Sequence, residues 1–399
     1  MVAPVITALP TAPDIADPAN FATDASVFVA ALAPLQSEIN AFGTYLNLGE
    51  NIVGRNLIIN GAMQVAQRST SAAGITGTGY HTCDRIKNIL GNNGTYTISQ
   101  ASDGPSGFAN SYKMEVTTAD AAPAAADFNI LYYNIEGFDV QRLKKGTPDA
   151  EQVTLSFWVK SNKTGTYQVN LADNGNTRQV GGTYSVSVSG TWEYKTITFP
   201  ADTSGVLADD NTAALVVEWW LGSGTNYTSG AVPTAWETAV DTDRNAGGTV
   251  NIADTIGNTW QITGVQLEVG PAATIFEHRS YGQELASCKR YFRRFGDGSN
   301  RGQMGSGGFA NLTQAQVVIP FDPELRVVPT ITVTAAGNLL DFGAALLPIT
   351  AVSVLSDSRP ECVILLLTTA GISPAAQGDA CTVTGGGGAN MDYRFDAEL

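Results

Sequence analysis

Two periodicities divide the chain. Between Phe21 and Leu46, apolar residues fall alternately four and three positions apart: Phe21, Ala25, Phe28, Leu32, Leu35, Ile39, Phe42 and Leu46. That spacing is the a/d seam of a helix that buries one stripe against a partner, either the chain's own body or sister chains. Asp17-Pro18 reads as the helix start, with Asp as N-cap and Pro at the first helical position. Pro34 removes one intrahelical hydrogen bond and predicts a kink or a split. From Asn56 the pattern switches to period two. Val153–Lys160 places Leu155, Phe157 and Val159 on one face and Ser156, Trp158 and Lys160 on the other, as a half-buried strand does. Tyr167–Leu171, Tyr184–Val188, Tyr194–Phe199, Leu215–Leu221 and Trp260–Glu268 read the same way, punctuated by Asn60-Gly61, Asn174-Gly175 and Gly181-Gly182.

A short helix carrying Lys289, Arg290, Arg293 and Arg294 at or beyond its end is expected over Gln283–Tyr291. Strand-like runs then resume at Gln316–Phe321, Thr330–Thr334, Ala351–Leu355, Val363–Thr368, Thr382–Thr384 and Tyr393-Arg394-Phe395. The expected fold is all-β. An antiparallel jelly-roll or β-sandwich body spans 51–284, after an extended arm and amphipathic helix over 1–50. A smaller C-terminal β-sandwich domain follows over 285–399. No repeat of 20–50 residues appears, which counts against a solenoid.

Composition narrows the function classes. The 399 residues include 22 Lys+Arg against 37 Asp+Glu, a formal charge of −15, so a general nucleic-acid-coating role is disfavoured. A hydrophobic fraction of 43% with 9% aromatic residues rules out a wholly disordered chain. The most apolar runs are too short to span a membrane, and no secretory signal is expected, because the first basic residue is Arg55. Cys83, Cys288, Cys362 and Cys381 form no close pair, so no metal knuckle or redox motif is expected, although a Cys362–Cys381 bridge stays open.

Asn56-Leu57-Ile58-Ile59-Asn60-Gly61 with Gln67-Arg68, then Cys83-Asp84-Arg85, resembles the opening of bacteriophage tail-fibre body domains. Phe157-Trp158-Val159-Lys160 with Thr164-Gly165-Thr166-Tyr167 resembles their central hairpin. Ile262-Thr263-Gly264-Val265-Gln266-Leu267-Glu268 through Phe276-Glu277-His278-Arg279-Ser280-Tyr281 to Cys288-Lys289-Arg290-Tyr291-Phe292 is similar to the segment that closes the jelly roll. The resemblance covers roughly Asp17 to Phe292, with Ser280 standing where Pro is frequent. It implies a non-enzymatic virion protein of the phage tail, made in the host cytoplasm and assembled as a homotrimer. Its partners would be tail or baseplate proteins and a host-surface glycan or outer-membrane receptor. The alternatives are a polysaccharide depolymerase and a structural or head-fibre protein.

On that reading the assembly and attachment seam is Phe21, Phe28, Leu32, Leu35, Ile39 and Phe42. Receptor contact is expected on Gly-rich loops of the C-terminal domain, at Ser306, Gly307, Gly308, Thr384, Gly385, Gly386, Gly387, Gly388 and Asn390, because loops on a rigid scaffold carry recognition. No catalytic residues, cofactor, metal or membrane insertion are expected. A glycosidase needs two carboxylates about a sugar, but Asp209-Asp210 reads as a polar turn. With only His81 and His278, a Ser-His-Asp relay has little support. Asp241, Asp243 and Asn245 open like a calcium loop, but Ile252 stands where the closing Glu would be, so an Asx-rich turn is favoured. Glu268, Glu277 and Glu284 are candidate partners for Arg279 or Arg290. Trp158, Trp192, Trp219, Trp220, Trp236 and Trp260 read mainly as core, with a sugar-stacking role open for some.

Overall fold

The computed structural model describes residues 17, 20–49, 54–296, 302–341, 346–370, 377–385 and 390–399. The chain divides into two compact units, Met1–Arg55 with Ala273–Glu277, and Asn56–Ala272 with His278–Leu399. In the first, a single helix spans Phe21–Gly49 and runs through Pro34 without being split. The Asp17 carbonyl accepts the N–H groups of Asn20 (3.3 Å) and Phe21 (3.0 Å), as an N-cap carbonyl does, while Pro18 lies outside the described residues. Of the apolar stripe, Phe21 and Leu32 are 41% and 43% exposed, while Phe28 and Leu35 are half-buried. The side chains of Ile39 and Phe42, and the arm over 1–16, lie outside the described residues. Gly54 N–H donates to Glu277 Oε1 (2.6 Å) and Arg55 Nη2 to the Ile275 carbonyl (2.7 Å). No helix among the described residues is long and apolar enough to cross a membrane.

The second unit is antiparallel β. A six-stranded sheet runs, in spatial order, Ser71–Ile75, Thr95–Ala101, Ser111–Thr118, Thr259–Val269, Val153–Ser161 and Glu193–Phe199. A seven-stranded sheet runs Glu237–Thr238, Arg178–Val186, Gly165–Asp173, Ala213–Ser223, Phe128–Glu136, Lys87–Gly91 and Gly79–Tyr80. Their alternate residues share one core: Leu155, Phe157, Val159, Trp260 and Ile262 from one sheet meet Leu131, Val169, Leu171, Val217 and Trp219 from the other. Phe157 sits edge-on to Tyr184 (5.0 Å between ring centres) and to Trp219 (6.0 Å). Each large apolar side chain so buried stabilises the sandwich by about 1.5–3 kcal/mol.

Pieces far apart in sequence are sewn into this sandwich by buried amides. Asn56 receives the N–H groups of Ile58 (2.9 Å) and Leu267 (3.1 Å) on Oδ1, and donates Nδ2 to the Val265 carbonyl (3.0 Å). Asn60, at φ 62°, bridges Val65 and the Asp84 carbonyl. The next residue is glycine because a Cβ there would lie 2.2 Å from the Val265 carbonyl oxygen. Val265 and Leu267 point into the core as alternation requires, while Gln266 and Glu268 on the opposite face are also buried and hydrogen-bonded to each other (2.8 Å).

The helix Tyr281–Lys289 follows, capped by Ser280, whose hydroxyl accepts the Gln283 N–H in a capping box. Serine supplies that acceptor where proline would not. Beyond it, Phe292–Gly296, Met391–Asp396 and Thr330–Ala336 pair as a three-stranded sheet. The six remaining strands close into a barrel in the order Gln303–Asn311, Gln314–Pro320, Cys362–Thr369, Leu346–Val354, Asn338–Asp341 and Ala380–Thr384. The C-terminal β region is thus a barrel with an attached sheet, where the sequence suggested a second sandwich. Strand alternation is the same in both, and only long-range pairing distinguishes closure. Its core, built on Phe309, Val317, Ile319, Leu339, Leu365, Leu367, Tyr393 and Phe395, is separate from that of the sandwich.

Buried charge joins the sandwich to the three-stranded sheet and the C-terminal residues beyond it. Arg85, 1% exposed and at φ 70°, pairs with Glu398 and donates Nη2 to the Asn134 carbonyl (2.7 Å), with its guanidinium 3.5 Å from the centre of the Tyr291 ring. Arg68 reaches Asp396 (3.0 Å), Glu398 (3.3 Å) and Asp84 (3.9 Å) while stacking on Phe292 at 3.7 Å. Arg326 holds the Ala397 and Glu398 carbonyls and the Asn211 carbonyl, each at 2.8 Å. Removing one partner of such a pair strands a buried charge, at a cost of about 3–5 kcal/mol. Glu398→Gln is therefore expected to lower stability by about that amount in urea unfolding. Arg85→Met with Glu398→Met should recover much of the loss; equal stability of the single variant and the parent would refute the role given to the pair.

Candidate functional site

Receptor contact is expected on Gly-rich loops of the C-terminal domain, and the structure places those residues unevenly. Ser306, Gly307 and Gly308 lie inside the strand Gln303–Asn311, not in a loop. They pair with Val318, Val317 and Gln316 on one side and with Thr382, Cys381 and Ala380 on the other. The physical reason for glycine is close approach, since a Cβ on Gly307 would lie 1.8 Å from the Gln316 carbonyl oxygen. Thr384 ends its strand, buried, and its hydroxyl donates to the Gly302 carbonyl (3.3 Å); Gly385 N–H donates to the same carbonyl (3.1 Å). Gly386, Gly387 and Gly388 lie outside the described residues. Ser306 and Asn390 are exposed. The ladder brings Ser306 and Thr384 onto neighbouring strands and adds Gln303 and Asn338, both paired with Thr384. Nothing in local sequence marks these two.

The arginines of the basic cluster are engaged within the chain. Arg290 grips Glu136 through Nη2 (2.6 Å) and Nε (3.1 Å), Tyr291 donates its hydroxyl to the same carboxylate (2.6 Å), and Arg294 pairs with Asp392 at 2.7 Å. Of the acids expected to pair with Arg279 or Arg290, Glu284 meets Arg279 at 3.7 Å, and Arg290 takes Glu136 instead. Glu136 ends a strand with no local signal pointing to it.

Other candidate chemistry is accounted for by local structure. Asp210 Oδ1 accepts from the Thr212 hydroxyl (2.6 Å) and N–H (2.8 Å), as a turn acid does. Asp241 pairs with Arg244 (3.5 Å), Asp243 Oδ1 accepts the Ala231 N–H (2.9 Å), and Asn245 Nδ2 donates to Ser223 (2.8 Å). Each of the three is thus engaged by a different partner. No group of three metal-ligating side chains occurs among the described residues. His81 is held below its usual pKa by burial, and His278 lies beside Phe108 at 5.2 Å. All four cysteines are free thiols. A cleft of about 370 Å³ is lined by Gln141, Lys144, Lys145 and Val206. Its buried Lys145 is committed to Asp173 (2.5 Å), Asp202 (3.1 Å) and the Ser204 and Gly205 carbonyls.

The tryptophans separate by environment. Trp219 and Trp260 are buried in the sandwich core, and half-buried Trp236 packs on it. Trp220 lies on the outer face of the seven-stranded sheet but is 1% exposed, closed over by Phe128, Tyr227 and Arg244 at 5.2–6.4 Å. Trp158 and Trp192 are half-buried on the outer side of the six-stranded sheet.

No protein-family model matches the chain, and no curated protein matches it. Among solved structures, the enzymatically active domain of tailspike protein 4 of bacteriophage CBA120 aligns at a TM-score of 0.29 and 12% identity, over 54% of this chain and 22% of that one. A family 11 carbohydrate-binding module from Clostridium thermocellum in complex with a β-1,3-1,4-mixed-linked tetrasaccharide aligns at 0.26 and 13%, over 51% and 98%. TmCBM61 in complex with β-1,4-galactotriose aligns at 0.25 and 10%, over 54% and 99%. Likenesses at this level carry no argument about what the chain does.

The strand that carries Asn390 toward its sheet is anchored by Asp392. Burial alone would raise this carboxyl, but hydrogen bonds from Arg294, Thr334 and Arg394 outweigh it and hold the pKa at about 2. Because the folded value lies below the ordinary one, the contribution is present above pH 4 and is lost as pH falls toward 2. Asp392→Asn should cost about 2 kcal/mol near neutrality, with the difference from the parent shrinking across that acid window in denaturant titrations. A pH-independent difference would refute the assignment.

Proposed function

We propose that the chain is a non-enzymatic structural protein of a bacteriophage tail, a homotrimeric fibre that recognises the host surface. The observation that carries this reading is the 29-residue helix whose apolar stripe keeps Phe21 and Leu32 exposed, a surface that calls for sister helices. The buried charge joining the sandwich to the C-terminal strand and tail adds support, because recognition needs a rigid scaffold. The N-terminal segment attaches to tail or baseplate proteins. The C-terminal region contacts a glycan or outer-membrane receptor through exposed Ser306 on the barrel and Asn390 ahead of the attached sheet's strand, and three copies on one fibre multiply weak contacts into avidity.

The test uses the full chain, because Arg85, Arg68 and Arg326 tie the C-terminal strands to the body and a cut near residue 285 would expose them. Light scattering should give the mass of three chains, and Leu35→Asp should shift it to one chain with the β signal in circular dichroism unchanged. A monomeric parent would overturn the trimer. Labelled antibody should mark the phage tail; labelling of the head would favour a head fibre. Incubation with host capsule or lipopolysaccharide should release no reducing ends. Reproducible release, abolished by changing one Asp or Glu, would favour a depolymerase.

A further inference from the structure

The two outer faces of the sandwich differ in a way that the barrel-centred reading does not use. On the seven-stranded sheet the outward Trp220 is sealed by Phe128, Tyr227 and Arg244. On the six-stranded sheet the outward aromatics reach solvent. Tyr194 and Trp158 are register partners on neighbouring strands, with ring centres 5.2 Å apart and planes inclined by 47°. Tyr194 is 43% exposed. Behind Trp158, Gly264 leaves the space a side chain would fill: a Cβ there would lie 3.1 Å from Trp158 Cδ1 and 2.8 Å from Phe108 Cζ. Trp158 thus meets Gly264 and Phe108 on one side and Tyr194 on the other.

A polar bank adjoins this corner. Lys160, two residues from Trp158 on the same face, donates Nζ to Asp103 Oδ2 (2.7 Å). Trp192 donates Nε1 to Asp103 Oδ1 (3.2 Å), and the Lys160 ammonium lies 5.7 Å from the centre of the Trp192 ring. Lys160 and Asp103 remain accessible, at 24% and 40% of their side-chain surfaces. Each has capacity beyond these bonds, because an ammonium has three donors and a carboxylate about four acceptor sites.

We propose that Trp158, Tyr194, Trp192, Lys160 and Asp103 form a binding site for a neutral polysaccharide of hexopyranose units. This rests on the reading of the chain as a host-surface recognition protein and adds a second contact, on the body. Rings that are apolar on their faces and polar at one tip suit a sugar, whose C–H face packs on the ring while its hydroxyls meet donors and acceptors at the edge. Lys160 and Asp103 present one donor group and one acceptor group side by side, the complement of adjacent hydroxyls. Charge selects the neutral class. The pair cancels locally, and the chain carries −15 overall, so a polyanion gains nothing here.

The experiment is titration of the full-length protein, by tryptophan fluorescence and on an oligosaccharide array, with hexaoses of β-1,4-glucose, α-1,4-glucose and β-1,4-galactose, neutral host O-polysaccharide, and uronate-containing polymers as controls. At least one neutral probe should bind, and Trp158→Ala and Tyr194→Ala should each weaken it tenfold or more with the melting temperature unchanged. Asp103→Asn should weaken it less. Absence of binding to every neutral probe, or binding that survives the Trp158→Ala/Tyr194→Ala double variant, overturns the site. Adsorption of the same variants to host cells separates the two readings. A parent that adsorbs and Trp158 or Tyr194 variants that adsorb equally well sink this site and leave the fibre standing. A parent that binds saccharide but is absent from the virion sinks the fibre and leaves the site.

Discussion

The arrangement depends on a guanidinium taken out of water. Arg85 sits inside the sandwich with Tyr291 stacked against it and one carboxylate, that of Glu398, reaching it from the far end of the sequence. Desolvating Arg85 is unfavourable until that partner arrives, so the sandwich and the C-terminal segment complete each other. Arg68, Asp84, Asp396 and Arg326 extend the same joint. The left-handed backbone at Arg85 aims the side chain inward at some local cost, which the interior contacts outweigh. The two hydrophobic cores stay distinct, yet the strands from Asn56 to Ala272 and from His278 to Leu399 form a single unit.

That joint also explains the positions by which the chain resembles fibre bodies. Asn56, Asn60, Asp84 and Arg85 are buried polar groups whose hydrogen bonds bind the first turn of the unit to its last sandwich strand and to its C-terminal strands. Such groups are demanding, because each unpaired member costs more than an apolar replacement would. They set register and docking, and contact with a ligand is not their work. The contacts proposed above use surfaces the joint leaves open: exposed Ser306 and Asn390 and the aromatic corner on the six-stranded sheet.

Much of this was legible in residue pattern. Alternation located Val153–Ser161 to within a residue and put Trp158 and Lys160 on its outer face. It found the strand Thr259–Val269 and the inward Val265 and Leu267. The strands Lys87–Gly91, Thr95–Ala101, Ser111–Thr118 and Phe128–Glu136 were not legible. Phe128–Glu136 is buried on both faces, so it has no polar side to alternate with. Ser306–Gly308 read as a loop because glycine is permissive, whereas here it admits a close neighbouring strand.

The sequence alone determined which residues alternate, where turns fall, that the N-terminal helix carries an apolar seam, and that the protein is β-rich and acidic. These follow from local geometry, since side-chain period and backbone preference act over a few residues. Tertiary structure alone decided that the last six-stranded set closes into a barrel, that Arg290 takes Glu136, that Arg85 awaits Glu398, and that one outer tryptophan is sealed while another stays open. Each depends on which strands become neighbours across tens to hundreds of residues. Charge pairing and burial are set by that proximity, and no local pattern encodes it.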